Sequence, residues 1–171
     1  NRFERYKGHD QLIEAWPAVV DIVPDAQLVL VGDGGDATRL MQKAAASSAW
    51  RNIQFTGFVS NATLDALYES VALFALPSRA EGFGLVYLEA MAHRLACIGS
   101  IHDAAGEVIV DGQTGRLVNQ DDHACLAATV SDLLLDEPRR RCMGEAGYRR
   151  LRSEFSFERF SARVNSLLRA D

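Results

Sequence analysis

A chain of 171 residues, 48% hydrophobic and 24% charged, is long enough to bury one substantial core but short for two, so it reads as a single domain. Its net charge of −5, with no block of lysine or arginine, argues against a nucleic acid partner, because phosphate neutralisation supplies most of that affinity. Cys97, Cys125 and Cys142 are odd in number and far apart, which fits free thiols in a reducing compartment, and no apolar run reaches the roughly 18 residues of a transmembrane helix.

The sequence opens on Asn1 rather than Met, so the expectation is that the native start, with any targeting signal, lies upstream. The stretch NRFERYKGHD places Arg2, Arg5 and Lys7 ahead of Gly8 and of a helix opening at His9 or Asp10. Such a cluster is ordinarily solvated surface charge; it can also neutralise a diphosphate without a metal ion. Leu12, Ile13, Trp16, Val19 and Val20 then recur at the spacing of one helix face. Pro17 is expected to kink that helix or loosen its first turns.

The strand candidates are AQLVLVG (26–32), NIQFTGF (52–58), LFALPS (73–78), ACIGS (96–100) and GRLV (115–118). Between them a helix from near Asp36 carries Leu40, Met41 and Ala44, and another, from about Ala62 to Ser70, turns Leu64, Leu67 and Tyr68 inward. Beyond GRLV the chain reads as helical to its end: 121–135, a helix opened by Glu137 and Pro138, and the amphipathic FSFERFSARVNSLLRA. Short β-rich runs alternating with helices predict an α/β fold, a doubly wound parallel sheet with a helical C-terminal tail.

Ligands of such sheets bind beyond the carboxyl ends of the strands. Two loops there are unusual. Gly32-Asp33-Gly34-Gly35-Asp36 offers close backbone approach and a cap at Asp36, although a plain strand-to-helix turn explains it equally. In SRAEGFGL, Gly82 and Gly84 bracket Phe83 where a helix begins. The unpaired N–H groups and positive dipole end of that first turn attract a phosphate, with Phe83, Gly84, Leu85 and Val86 as backbone donors. Glu81, just ahead, can be a plain N-terminal acid favouring the dipole. Glu89 lies about 40° from Leu85 and about 60° from Ala92 around the helix, which predicts that it faces the sheet. A buried carboxylate needs a partner: the vicinal hydroxyls of a ribose, or an arginine, Arg79 or Arg94 being candidates.

Taken in order, RFERYKGHDQLIEA, LVLVGDG, FTGFVS, LPSRAEGFGLVYLEAMA with its E-x7-E motif, and GEVIVDGQTGRLV resemble the retaining glycosyltransferases of family 4. The likeness is to the C-terminal, Rossmann-like, nucleotide-sugar-binding half of their GT-B architecture and covers nearly the whole chain. It implies a donor-binding domain that works with an N-terminal acceptor domain of the same polypeptide, here outside the sequence. Arg2 and Lys7 would hold the donor diphosphate, helped by the amides of Gly84, Leu85 and Val86. Glu89 would take the ribose hydroxyls, Glu81, Gly82 and Phe83 would face the sugar, and Gly32, Asp33 and Val59 would border the base. Arg2, Lys7 and Glu81 are the catalytic candidates. No cofactor or metal is implied, the acceptor being a glycan, a lipid-linked sugar or a small molecule, and the parent protein is expected in the cytoplasm or at the inner membrane face. IHDAAGEV at 101–108 departs from the family's glycine pair and proline and leaves Asp103 and His102 without a family role. A non-catalytic nucleotide-binding module on the same fold is the alternative.

Overall fold

The structure is a computed structural model and describes residues 2–156 together with Arg159 and Ser161; most of the amphipathic segment expected at 155–170 lies outside them. Among described residues 2–156, five strands alternate with seven α-helices: α1 (His9–Ile22), β1 (Leu28–Val31), α2 (Ala37–Ala45), β2 (Ile53–Gly57), α3 (Asn61–Ser70), β3 (Leu73–Ala75), α4 (Leu85–Ala92), β4 (Ala96–Ser100), α5 (Ala105–Val108), β5 (Gly115–Val118), α6 (His123–Leu135) and α7 (Glu137–Glu154). Every strand pairing is parallel. The elements fall where the periodicity puts them, with trimmed ends and with α5 as an addition. α1 runs unbroken through Pro17.

The five strands make two sheets, β1-β2 and β3-β4-β5, with β1 and β3 at their facing edges. Strand alternation sends the residues of β4 to opposite sides. Ala96 and Ile98 join a core built with α1, α2 and α6, while Cys97 joins a second core with Tyr87, Met91, Val108 and Ile109. Helices therefore cover both faces, and β4 is buried along its whole length, as a doubly covered parallel strand must be. Burial also pushes the Cys97 thiol well above its ordinary range.

Local chemistry sets the helix boundaries. Ser60 caps α3 by accepting from the Thr63 amide at 3.2 Å, and Asp122 and Asp136 do the same for α6 and α7 at 2.9 and 3.0 Å, satisfying amides that a helix start leaves unpaired. Asp36 stands at the cap position of α2, but its carboxylate is drawn instead to the Arg39 guanidinium at 2.6 Å, a charge-assisted bond that outcompetes a neutral amide. Arg39 also grips Asp10 of α1, and Lys43 reaches Asp10 and Glu14, so a cluster of charges ties α1 to α2. On α2, Leu40 and Ala44 are buried and Met41 is exposed.

Candidate active site at the carboxyl edge

The loops that follow the strands meet along one edge, joined by the segment that opens the chain. Arg2 makes a parallel bridge with Asp33, and the Phe3 amide donates to the Asp33 carbonyl at 2.9 Å. Further on, the Tyr6 carbonyl accepts from the Arg79 amide at 2.7 Å and from the Ser78 hydroxyl at 3.0 Å. One short segment thus links the loop after β1 to the loop after β3. Gly8 makes the close approach possible: it sits at φ +82, and a Cβ there would lie 2.3 Å from the Pro77 carbonyl oxygen.

This approach delivers Lys7 to Glu81. Their ammonium and carboxylate meet at 2.6 Å, with side chains only 14% and 16% exposed. Such a pair is costly to desolvate, and removing one partner leaves the other uncompensated. The carboxylate of Glu81 is further fixed through its main chain. Its amide donates to Asp103 at 3.3 Å, and its carbonyl accepts from the Ala104 amide at 3.3 Å. Asp103 also accepts from the Ala105 amide at 2.9 Å, and burial raises its carboxyl above the usual range. Sequence reasoning left Asp103 without a role; its signal was an acid two residues before a short helix, an arrangement that caps backbone amides.

The next turn carries the start of α4. Gly84 takes φ +85, and a Cβ there would meet the Tyr87 ring at 2.5 Å. Tyr87 is wholly buried, its hydroxyl donating to the Leu76 carbonyl at 2.6 Å. Gly84 thus lets α4 begin directly over that ring, so that the amides of Leu85 and Val86 lie in a first turn whose N–H groups have no intrahelical acceptor. Gly82 is exposed, with open space around it. Phe83 packs edge-on against Phe155 with ring centroids 6.0 Å apart.

Glu89 does not face the sheet. The buried stripe of α4 is Tyr87, Ala90 and Met91, and Glu89 is exposed, about 160° around the helix from Tyr87. Leu85, about 40° from Glu89 around the helix, is 64% exposed. Neither arginine partners it: Arg79 pairs with Asp121 and Arg94 with Glu145. Its hydrogen-bond partner is Tyr68 of α3, whose hydroxyl donates at 3.3 Å and whose ring stacks on His93 with centroids 5.0 Å apart. Burial and the Glu89 carboxylate both raise the Tyr68 hydroxyl above its ordinary pKa, keeping it a donor.

The remaining predicted residues sit at the same edge. The Gly32 amide donates to the Gly57 carbonyl at 3.0 Å, which draws the loop bearing Asp33 to the loop bearing Val59. Asp33 is exposed and accepts from the Gly34 amide at 2.7 Å; Val59 is half-buried beside Phe58, which is 88% exposed. Arg2 is 79% exposed at its side chain and pairs with Glu4 at 3.0 Å. The structure therefore brings Lys7, Glu81 and Gly84 together and ties the loop of Asp33 to that of Val59. Glu89, on the second turn of α4, lines the cavity between the two sheets together with Tyr68 and Val86. Among the described residues, no group of three His, Cys, Asp or Glu could hold a metal ion, and no helix is long and apolar enough to cross a membrane.

The chain is 33% identical over 172 residues to a GDP-mannose-dependent monoacylated alpha-(1-6)-phosphatidylinositol monomannoside mannosyltransferase of Corynebacterium glutamicum, covering 96% of this chain and 44% of that protein. It is 32% identical over 181 residues to the lipopolysaccharide core biosynthesis mannosyltransferase LpcC of Rhizobium leguminosarum bv. viciae, covering 98% and 49%. Among solved structures, the C-terminal domain of a glycosyl transferase group 1 family protein (LpcC) of Francisella tularensis superimposes with a TM-score of 0.82 at 28% identity, covering 91% of this chain and 83% of that one. The chain spans about half the length of the curated relatives it matches. Residues 1–150 match the family described as Glycosyl transferases group 1, and with an α/β fold like that of the LpcC C-terminal domain, the chain belongs to that family.

Proposed function

We propose that this chain is the donor-binding half of a retaining glycosyltransferase that moves a mannosyl group from GDP-mannose to a lipid-linked or glycan acceptor. The observation that carries this is the Lys7–Glu81 pair, 2.6 Å apart and largely shielded from water, set just ahead of the amides that open α4. Mannosyl transfer is supported by the names of both curated relatives, and GDP by the name of the Corynebacterium protein.

The donor diphosphate lies across the start of α4, where the Leu85 and Val86 amides and the helix dipole meet its charge. Lys7 holds Glu81 with one N–H and keeps two further donors for phosphate oxygens; Arg2, at the open rim, adds a second cation. As the bond from the anomeric carbon to the diphosphate breaks, negative charge grows on the leaving group, and these donors stabilise that charge more than the ground state. Glu81, Gly82 and Phe83 face the sugar, Glu89 accepts from the ribose hydroxyls, and Asp33 and Val59 border the guanine. Transfer proceeds on one face of the sugar, the departing diphosphate taking the acceptor's proton. No metal takes part.

The test uses the full-length parent protein with GDP-mannose. Lys7→Ala is expected to lower kcat by about 100-fold or more, the scale of losing one oxyanion donor, with a smaller change in KM. Unchanged turnover in Lys7→Ala would remove the basis of the assignment.

A further inference from the structure

Side chains from α3 and α4 meet in one series of contacts. Asp65 and Tyr68 stand one turn apart on α3; Glu89 stands on α4, and His93, one turn further, at its carboxyl cap, so each pair lies on one face. The Tyr68 hydroxyl donates to Glu89 Oε2 at 3.3 Å, and its ring stacks on the His93 imidazole with the planes 19° apart. The His93 Nε2 in turn faces the Asp65 carboxylate at 3.6 Å. The series ends on the carboxylate assigned to the ribose.

Tyr68 is held where Glu89 is free. The tyrosine is 8% exposed and sits between His93 and Phe74, whose ring centroid lies 6.1 Å away. Glu89 is exposed, and a glutamate in such a place turns readily about its side-chain torsions. Toward a carboxylate the phenol acts only as a donor, and burial together with the Glu89 charge keeps its proton in place. An ionised carboxylate has about four acceptor sites, so one bond from Tyr68 leaves room for two vicinal hydroxyls.

The direction suits the donor as well. Helical side chains lean toward the amino end, so Glu89 leans toward the Leu85 and Val86 amides one turn earlier, where the diphosphate lies. The ribose hangs from that diphosphate, and the orientation of the carboxylate decides whether both of its hydroxyls are met at once.

We propose that Tyr68 is a positioning residue for the donor: its hydroxyl, anchored by the stack on His93, fixes the Glu89 carboxylate in the orientation that accepts both ribose hydroxyls. The role rests on the assignment of Glu89 to the ribose. A carboxylate already oriented loses less freedom when the donor arrives. At 3.3 Å the bond is a long one, and a single hydrogen bond of this kind is worth about 3- to 10-fold in affinity.

Calorimetric titration of the full-length parent with GDP-mannose, and with its analogue lacking the ribose 2′ and 3′ hydroxyls, tests the role. Tyr68→Phe keeps the ring between His93 and Phe74 and removes only the hydroxyl; because Glu89 stays open to water, the urea midpoint is expected to match that of the parent. The variant is expected to bind GDP-mannose about 3- to 10-fold more weakly and the analogue as tightly as the parent does. Added to Glu89→Ala, it is expected to cost nothing more, since the two residues act through one contact. A loss in Glu89→Ala with none in Tyr68→Phe overturns the role of Tyr68 and leaves the ribose assignment standing; no loss in either variant overturns both. A Tyr68→Phe loss that persists with the analogue, or adds in full to that of Glu89→Ala, marks a general disturbance of α3 and overturns the proposal.

Discussion

Glu89 stands outside the core. Its carboxylate is exposed and accepts only a 3.3 Å bond from Tyr68 among the described residues, so Glu89→Ala is expected to change stability by no more than about 0.5 kcal/mol, the usual range for surface positions. In the full-length parent the same change is expected to weaken GDP-mannose binding by about 10- to 100-fold, the worth of a charged hydrogen bond to two hydroxyls. Calorimetric titration with GDP-mannose alongside urea unfolding checks both; a variant that loses stability but not affinity defeats the assignment. Asp103 stands on the opposite footing. Its raised pKa follows from burial, and its two oxygens each accept from one amide, Oδ2 from Glu81 and Oδ1 from Ala105, so Asp103→Ala is expected to slow transfer through a misplaced Glu81, and Asp103→Asn, which keeps one acceptor oxygen for the two amides, to recover only part of the rate measured with the full-length parent.

At the scale of elements, α4 explains why part of the site was legible in the sequence and part was not. The glycines at 82 and 84, the strand ends and the basic opening segment stood out because each breaks a periodic pattern. The facing of α4 did not, because Leu85 and Leu88 on one stripe are as apolar as Tyr87 and Met91 on the other. Periodicity chooses a buried face only where one face is polar, and here packing of the larger Tyr87 over the Leu76 carbonyl decided it. Gly84→Ala is expected to cost about 2 kcal/mol or more, since it combines a left-handed backbone with a clash against that ring; thermal melting checks this. α1 carries an acid-sensitive device. Burial pushes the His9 imidazole down to about 4 from 6.5, and the Arg39 guanidinium pulls Asp10 down to about 2 from 3.8. Below pH 6.5 the unfolded chain takes a proton that buried His9 refuses, so its contribution to stability is lost as pH falls from 6.5 to about 4. The Asp10 contribution is full above 3.8 and is lost toward 2. Urea midpoints are expected to drop in two stages on acidification, the first disappearing in His9→Phe.

At the scale of the whole molecule, five parallel strands and two covering layers were readable from the alternation of short β-rich runs with helices. The division into two sheets was not, because pairing partners are set by neighbours in space and β1 and β3 look alike in sequence whether or not they touch. Closing an active site around donor and acceptor takes groups from both sides of a cleft and excludes water, so these 171 residues alone are expected to bind GDP-mannose weakly and to transfer no measurable mannose, while the parent protein does. Rapid transfer by the isolated chain would contradict that division of labour.

The Tyr6 carbonyl, accepting at once from the Arg79 amide and the Ser78 hydroxyl, is the clasp between the opening segment and the loop ahead of α4. Because position 6 contributes through its main chain, almost any residue there preserves the clasp. A family-wide record of substitutions at that position would register as tolerance, and a search guided by side-chain identity would pass over the joint on which the alignment of Lys7 with Glu81 depends.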